Sequence, residues 1–345
     1  MKKLLMCLLV ILIAIGCKDF NESNLNVEII NFNGMKGKSE YIYFTNPKEG
    51  YSFNYITESK EQTEQQLNDP NFFPESRDIA IIYKTIDGGK NWKRITSIEN
   101  RKFFNRVLVF QNAVYIASND FYNKKVYIVK FNVLTDKIEF EKEFDVIGGI
   151  YDDKSNIYIG TEKGPVVTKF DRNLTIRGKI QIDLGNDVLF IDNKLFSILR
   201  NKDGHTGLRQ YYKEKIKNVE MLIEPENIVK QSKDKIIIAG NNKSDNNKIS
   251  IISYDVKSEN SQILKEFGGY NIVQGLQSND KVICGFIGNI EGTFTEYDLF
   301  YSLDKGKTWQ IQKLKENSYI RPSVLIDNTL YIFSGAKRIQ KITFK

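Results

Sequence analysis

Histidine occurs once in this chain, at position 205, and cysteine three times, at positions 7, 17 and 284. So few imidazoles and thiols leave too few ligands for a zinc site. They also disfavour a cysteine–histidine nucleophile. Cys7 lies inside an apolar leader and Cys17 closes it, so only Cys284 belongs to the body and no internal disulfide can form. Cys284 sits in the strand-like run 281-KVICGF-286 and reads as a small buried hydrophobe. Glycine-rich phosphate loops are missing too, since 86-IDGGK-90 is part of a turn motif treated below. The formal charge is +7, yet basic residues are interleaved with acids, as in 211-YYKEKIKNVE-220. A nucleic-acid partner would need them gathered in a stripe, and none is expected. No cofactor and no metal is implied by any motif.

What is present begins with the leader, MKKLLMCLLVILIAIGC. Two lysines precede an apolar run from Leu4 to Ile15, which has the length of a signal-peptide core rather than of a membrane span. Gly16 followed by Cys17 resembles the bacterial lipobox, with Ala14 in place of the usual Leu. The resemblance implies acylation of Cys17 and cleavage before it, giving a signal peptide over 1–16 and a lipidated tether over 17–25. A plain secretory signal cut near Gly16 is the alternative. Lys18 and Asp19 after the cysteine resemble sorting signals that imply the outer membrane, on its periplasmic or surface face.

The remaining 26–345 is strand-like almost throughout, with aromatic and β-branched residues in short alternating runs. One cassette recurs: an apolar run, a polar turn with Asp or Asn, and a second alternating run. It appears as 107-VLVFQNAVYIAS-118, 150-IYDDKSNIYIGT-161, 188-VLFIDNKLFSIL-199, 228-IVKQSKDKIIIAG-240, 272-IVQGLQSNDKVICGF-286 and 324-VLIDNTLYIFSG-335. A first copy is 41-YIYFTNPKEGYSFNY-55. Spacings of roughly 40 to 50 residues are those of propeller blades. The pattern therefore predicts an all-β fold, a seven-bladed β-propeller, with six or eight blades as alternatives. Each cassette supplies the two inner strands of a blade, and a third follows in runs such as 125-KVYIVKFN-132 and 248-KISIISYD-255. The chain stops after 338-RIQKITF-344, one strand short, so 27-VEIINF-32 is expected to complete the last blade and close the ring.

An insertion at 57–78 carries Phe72 and Phe73 between Pro70 and Pro74. It reads either as a partner-contacting loop or as a loop whose phenylalanines pack down on the ring. Two further stretches, 85-TIDGGKNW-92 and 302-SLDKGKTW-309, share the pattern Ser/Thr-x-Asp-x-Gly-x-x-Trp and hold the only two tryptophans. Asp87 and Asp304 are placed to accept backbone N–H groups across a turn, helped by Thr85 and Ser302. Gly89 and Gly306 permit left-handed backbone, so that Trp92 and Trp309 fold back as wedges between sheets. Here the chain resembles the Asp-box, or BNR-repeat, propellers, which include sialidases, sortilin-type receptors and photosystem-assembly propellers. In that family the boxes are structural and lie away from the central ligand site.

The resemblance raises a sialidase reading, which implies an arginine cluster, a Tyr–Glu pair and an acid/base Asp. The chain has no Arg-Ile-Pro; Arg321-Pro322 is the nearest sequence. Glu296 and Tyr297 are adjacent on a strand and so face opposite ways. The expectation is a non-catalytic propeller, held to the membrane by its lipid, that binds a protein or glycan in assembly, uptake or immunity. A divergent glycan hydrolase or lyase is the alternative. A central wall lined by Arg, Tyr and carboxylates would favour the enzyme; an apolar or mixed wall would favour binding.

Overall fold

A computed structural model of the protein describes residues 25–31, 33–59, 63, 76–120, 123–145, 147–160, 166–181, 187–212, 215–291, 294–314, 320–334 and 338–345. The leader, Cys17, the tether up to residue 24, and Phe72 and Phe73 lie outside these residues. All 28 regular elements among the described residues are strands, arranged as seven four-stranded antiparallel sheets. Six sheets are simple meanders, covering 38–99, 102–144, 149–181, 187–219, 223–268 and 272–313, and are called here blades 1 to 6. Blade 7 consists of Ile320–Ile326, Thr329–Ser334 and Arg338–Phe344, with Leu25–Asn31 as its outermost strand. The innermost strand of each blade touches that of the next, from blade 1 through blade 7 and back to blade 1. The fold is the expected seven-bladed propeller, closed by the N-terminal strand.

Local chemistry explains the hairpins that join the two inner strands. In blade 4, Ile191 pairs with Lys194 across Asp192 (φ 48°) and Asn193 (φ 58°), the two left-handed residues a tight hairpin requires. Longer versions are held by a side-chain acceptor. Asn46, Asp153 and Asn279 each take two backbone N–H groups at 2.7–3.0 Å. The second strands are buried on both faces, as in 114-VYIA-117 and 236-IIIA-239. Outermost strands alternate instead, as 137-KIEFEKEF-144 does, because one face meets water.

The ring has no single core. Apolar side chains gather into seven separate clusters, one between each pair of neighbouring blades. Between blades 7 and 1, Ile30 from the closing strand packs with Ile42, Phe44, Trp92, Tyr331 and Ile339. Polar links cross the same boundaries. The Tyr51 hydroxyl donates to the Val133 carbonyl of blade 2 at 2.8 Å, and the Tyr115 hydroxyl to the Arg172 carbonyl of blade 3 at 2.6 Å. Among the described residues the smallest cluster joins blades 3 and 4, where Tyr158, Val167, Leu195 and Tyr211 are buried.

The closing strand offers an internal control. Ile30 is 4% exposed and its neighbour Ile29 is 44% exposed. Ile30→Ala is expected to cost ~2–4 kcal/mol, and Ile29→Ala no more than about 0.5 kcal/mol, in urea unfolding of the chain without its leader. Equal effects would mean that the strand is not seated in blade 7.

Candidate functional site on the innermost strands

The two tryptophan-bearing turns lie between the third and outermost strands of blades 1 and 6. In the first, the Thr85 hydroxyl donates to Asp87 Oδ1 (2.8 Å) and accepts the Gly89 N–H (3.0 Å). Asp87 also receives the Asn91 backbone N–H (3.0 Å) and its side-chain amide (2.7 Å). The second turn repeats this. Ser302 donates to Asp304 (2.8 Å) and accepts from Gly306 (2.8 Å), while Asp304 collects Lys307, Thr308 and the Thr308 hydroxyl at 2.7–3.0 Å. These donors, the Thr308 N–H foremost, hold the Asp304 carboxyl down at about 2, and the Asn91 N–H lowers Asp87 likewise. Gly89 (φ 97°) and Gly306 (φ 91°) are left-handed. Both indoles donate back to that glycine's carbonyl, at 2.7 and 2.9 Å. Trp92 meets Phe44 edge-on between blades 7 and 1, and Trp309 meets Phe267 between blades 5 and 6. Both carboxylates accept bonds within their own turns, and both indoles lie between blades.

The same joint recurs without tryptophan. Asn132, Asp171 and Asp255 each accept two backbone N–H groups at 2.8–3.3 Å in the equivalent turns of blades 2, 3 and 5. There Val133, Leu174 and Val256 are buried against the preceding blade, taking the place of the indole. Trp92→Ala is expected to cost ~3–5 kcal/mol in thermal or urea unfolding; a near-neutral result would remove its role as an inter-blade wedge.

Ligands of ring-shaped folds bind where the innermost strands converge, and here those strands are irregular. Bulges interrupt five of the seven, between Ser39 and Tyr41, Phe103 and Val107, Pro225 and Asn227, Gln274 and Gln277, and Arg321 and Val324. A bulge re-aims the side chains beside it. Two of these regions and the unbulged strands of blades 3 and 4 bring ionisable groups together. Tyr151 of blade 3 lies within electrostatic reach of Arg106 in blade 2 and Asp187 in blade 4. Burial raises the Tyr151 hydroxyl, against the opposing pull of Arg106. Burial pushes the Asp187 carboxyl up to about 6, although it accepts the Ile228 N–H of blade 5 at 3.2 Å. Glu226, at the blade 5 bulge, is raised by burial and opposed by the Val273 N–H of blade 6, by Arg200 and by Asn241, whose amide donates at 2.7 Å. At the hairpin ends of the same strands, burial raises Asp152 and lowers Lys230, and the two charges feel each other.

None of these wall residues was singled out by the sequence. The only available signal was position: Asp187 stands immediately ahead of the run 188-VLFI-191, and Glu226 two residues ahead of Ile228. The pair the sequence set aside stays apart. Glu296 is exposed while Tyr297 turns inward onto the cluster between blades 6 and 7. No group of three or more His, Cys, Asp or Glu side chains is placed to hold a metal among the described residues.

A carboxyl raised from 3.8 to about 6 makes the folded state the better proton binder. Its contribution to stability is most favourable below the unfolded value and is lost as pH rises through the folded one. Asp187→Asn keeps the acceptor for Ile228 and removes the charge. The variant is expected to gain about 2–3 kcal/mol over the wild type at neutral pH and nothing at pH about 4. Parallel stability curves from urea unfolding across that range would show that Asp187 is not held in a buried wall.

No protein-family model and no curated protein sequence matches the chain. Solved structures do. Virginiamycin B lyase from Staphylococcus aureus superposes with a TM-score of 0.56 at 13% identity, over 93% of this chain and 100% of the lyase. An uncharacterised protein of Listeria monocytogenes gives 0.55 at 10% identity, over 87% and 91%. The β-propeller domain of the Trilobed protease from Pyrococcus furiosus, described as having an open velcro topology, gives 0.54 at 9% identity, over 88% and 94%. At such identities the likeness is one of fold: this chain is a seven-bladed β-propeller.

Proposed function

We propose that the chain is a lipid-anchored propeller of the bacterial cell envelope, outer-membrane in location, that binds a protein or glycan without transforming it. The observation that carries the non-catalytic reading is the use made of the buried wall carboxylates. Asp187 accepts a backbone N–H from the next blade, and Glu226 accepts the Asn241 amide of its own blade. Both are engaged by donors of the protein itself. Loops on a rigid ring are free to vary for a partner. The resemblance of the two tryptophan turns to Asp-boxes supports the same class. So does the lipobox-like Cys17, because the tether over 17–25 spans at most ~32 Å. A ring on such a tether stays close to the bilayer, where an envelope partner is met.

A second reading, a divergent glycan hydrolase or lyase, rests on Arg106, Tyr151 and Asp187 converging from three blades. A carboxyl that is protonated near pH 6 is what a general acid requires.

The test is affinity capture from envelope extracts on the immobilised chain without its leader, with mass spectrometry of what is retained, beside a glycosidase and lyase screen. A stoichiometric partner, together with no turnover of any glycan, is the expected result. Turnover that Asp187→Asn abolishes would overturn the binding reading in favour of the enzyme. For the anchor, Cys17→Ser is expected to move the protein out of the membrane fraction and to end labelling by radioactive palmitate; labelling that persists would sink the lipoprotein reading.

A further inference from the structure

Blade 4 carries a cavity of about 480 Å³ that neither the turns nor the innermost strands account for. It lies where the second strand (Lys194–Arg200) passes into the third (Thr206–Tyr212), beside the end of the outermost strand (Lys215–Val219). That volume falls within the range of small-molecule sites. Two guanidinium groups, Arg200 and Arg209, stand on its wall, and no carboxylate does among the described residues. Glu224, which meets His205, and Glu226, whose charge Arg200 feels, belong to blade 5 and lie off the wall. Leu199, Leu208 and Val219 make part of the lining apolar.

Several features show that this cavity is shaped rather than loose. The turn at 201–205 is closed by the Asn201 N–H on the His205 carbonyl (2.8 Å) and by the His205 N–H on the Asn201 side chain (2.8 Å). The His205 ring then contacts the Glu224 carboxylate of blade 5, which pins the turn to the next sheet. Arg209 Nε donates to the Asn218 side chain across the strand pair at 3.2 Å, fixing the direction of that guanidinium. Gly207 also lines the cavity with no left-handed backbone to require a glycine, and a Cβ there would meet nothing within 4 Å.

We propose that this cavity binds a small organic oxyanion, a carboxylate or a phosphate monoester carried on a part-apolar body. Arginine forks match the oxygens of either group, two bonds at a time. The leucine and valine lining takes the apolar part. The site is separate from the innermost-strand wall and does not depend on whether the ring binds a protein partner.

The experiment is calorimetric titration of the chain without its leader, carrying Cys17→Ser, with phenylacetate and phenyl phosphate as probes. Benzyl alcohol and inorganic phosphate are the controls. At least one anionic probe is expected to saturate with a Kd of about 1 mM or tighter, and which one does identifies the oxyanion. Both controls should bind at least about tenfold more weakly, one for want of charge and the other for want of an apolar body. Arg209→Gln should weaken the probe by about tenfold or more by removing charge. Gly207→Leu should do the same by filling the space, with the melting temperature unchanged because that position is open. Arg200→Gln serves if Arg209→Gln does not fold. Failure of both probes to saturate by about 10 mM, or binding of inorganic phosphate as tight as phenyl phosphate, overturns the proposal. Wild-type affinity in both the charge and the space-filling variants overturns it equally.

Discussion

Seven residue pairs join Leu25–Asn31 to Arg338–Phe344, and the architecture depends on that ladder. A propeller blade cannot bury its own two faces; each face needs the blade beside it. In an open row, two faces and one sheet edge would remain exposed to water. Pairing the strand that begins the ring with the strand that ends it covers the edge of Arg338–Phe344 and leaves Leu25–Asn31 outermost, as every other blade has a fourth strand outermost. It also brings Ile30 and Tyr331 onto Phe44 and Trp92, so that blade 7 covers blade 1. Because hydrophobic burial is divided among seven clusters, each interface is small, and the closed circle makes every one of them depend on the other six.

The polar groups at the boundaries follow from the same division. Thin apolar interfaces leave backbone groups near the joints, and side chains reach across to satisfy them. Tyr51 and Tyr115, at equivalent places on second strands, each donate to a turn carbonyl one blade further on. Lys194 does the same for Val256 at 2.9 Å. Between blades 1 and 2 the contact grows into a network, in which Asp136 shares the one Tyr51 proton with the Val133 carbonyl (2.7 and 2.8 Å) and takes the Lys84 ammonium (2.8 Å). Asp187, which accepts the Ile228 N–H, belongs to this pattern on the innermost strands, and Glu226 is served by Asn241 within its blade. Their burial is what makes them chemically interesting, and these bonds are what make that burial tolerable.

Features that repeat along the chain were legible in its sequence. The seven cassettes, the closing strand and the two Ser/Thr-x-Asp-x-Gly-x-x-Trp turns are local patterns, written in periods of two and in residues that accept left-handed backbone. Aspartates 171 and 255 could be read as the same turn with the tryptophan lost, but Leu174 and Val256 as its replacements could not, because their partners lie on another blade. The candidate wall was hidden for the same reason. Arg106, Tyr151 and Asp187 are separated by 45 and 36 residues and meet only because consecutive blades turn about one axis. The bulges that redirect innermost-strand side chains, and the cavity of blade 4, depend on strand register that no local pattern encodes. Phenylalanines 72 and 73 lie outside the described residues, and the partner-contacting reading of that loop stays where the sequence left it.

The seam between blades 3 and 4 differs from the other six. Among the described residues its innermost strands are Gly149–Asp152 and Asp187–Ile191, and its apolar contact comprises four buried side chains, with Tyr158 stacked on Phe190 at 4.5 Å. It stands across the ring from the ladder in blade 7. A bracelet with a zipped clasp on one side and a thin link on the other does not open at the clasp. Local opening of the native ring, as amide exchange would read it, is expected to begin there. A ligand held between Tyr151 and Asp187 would then act as a rivet through that link, and binding and ring rigidity would be one property.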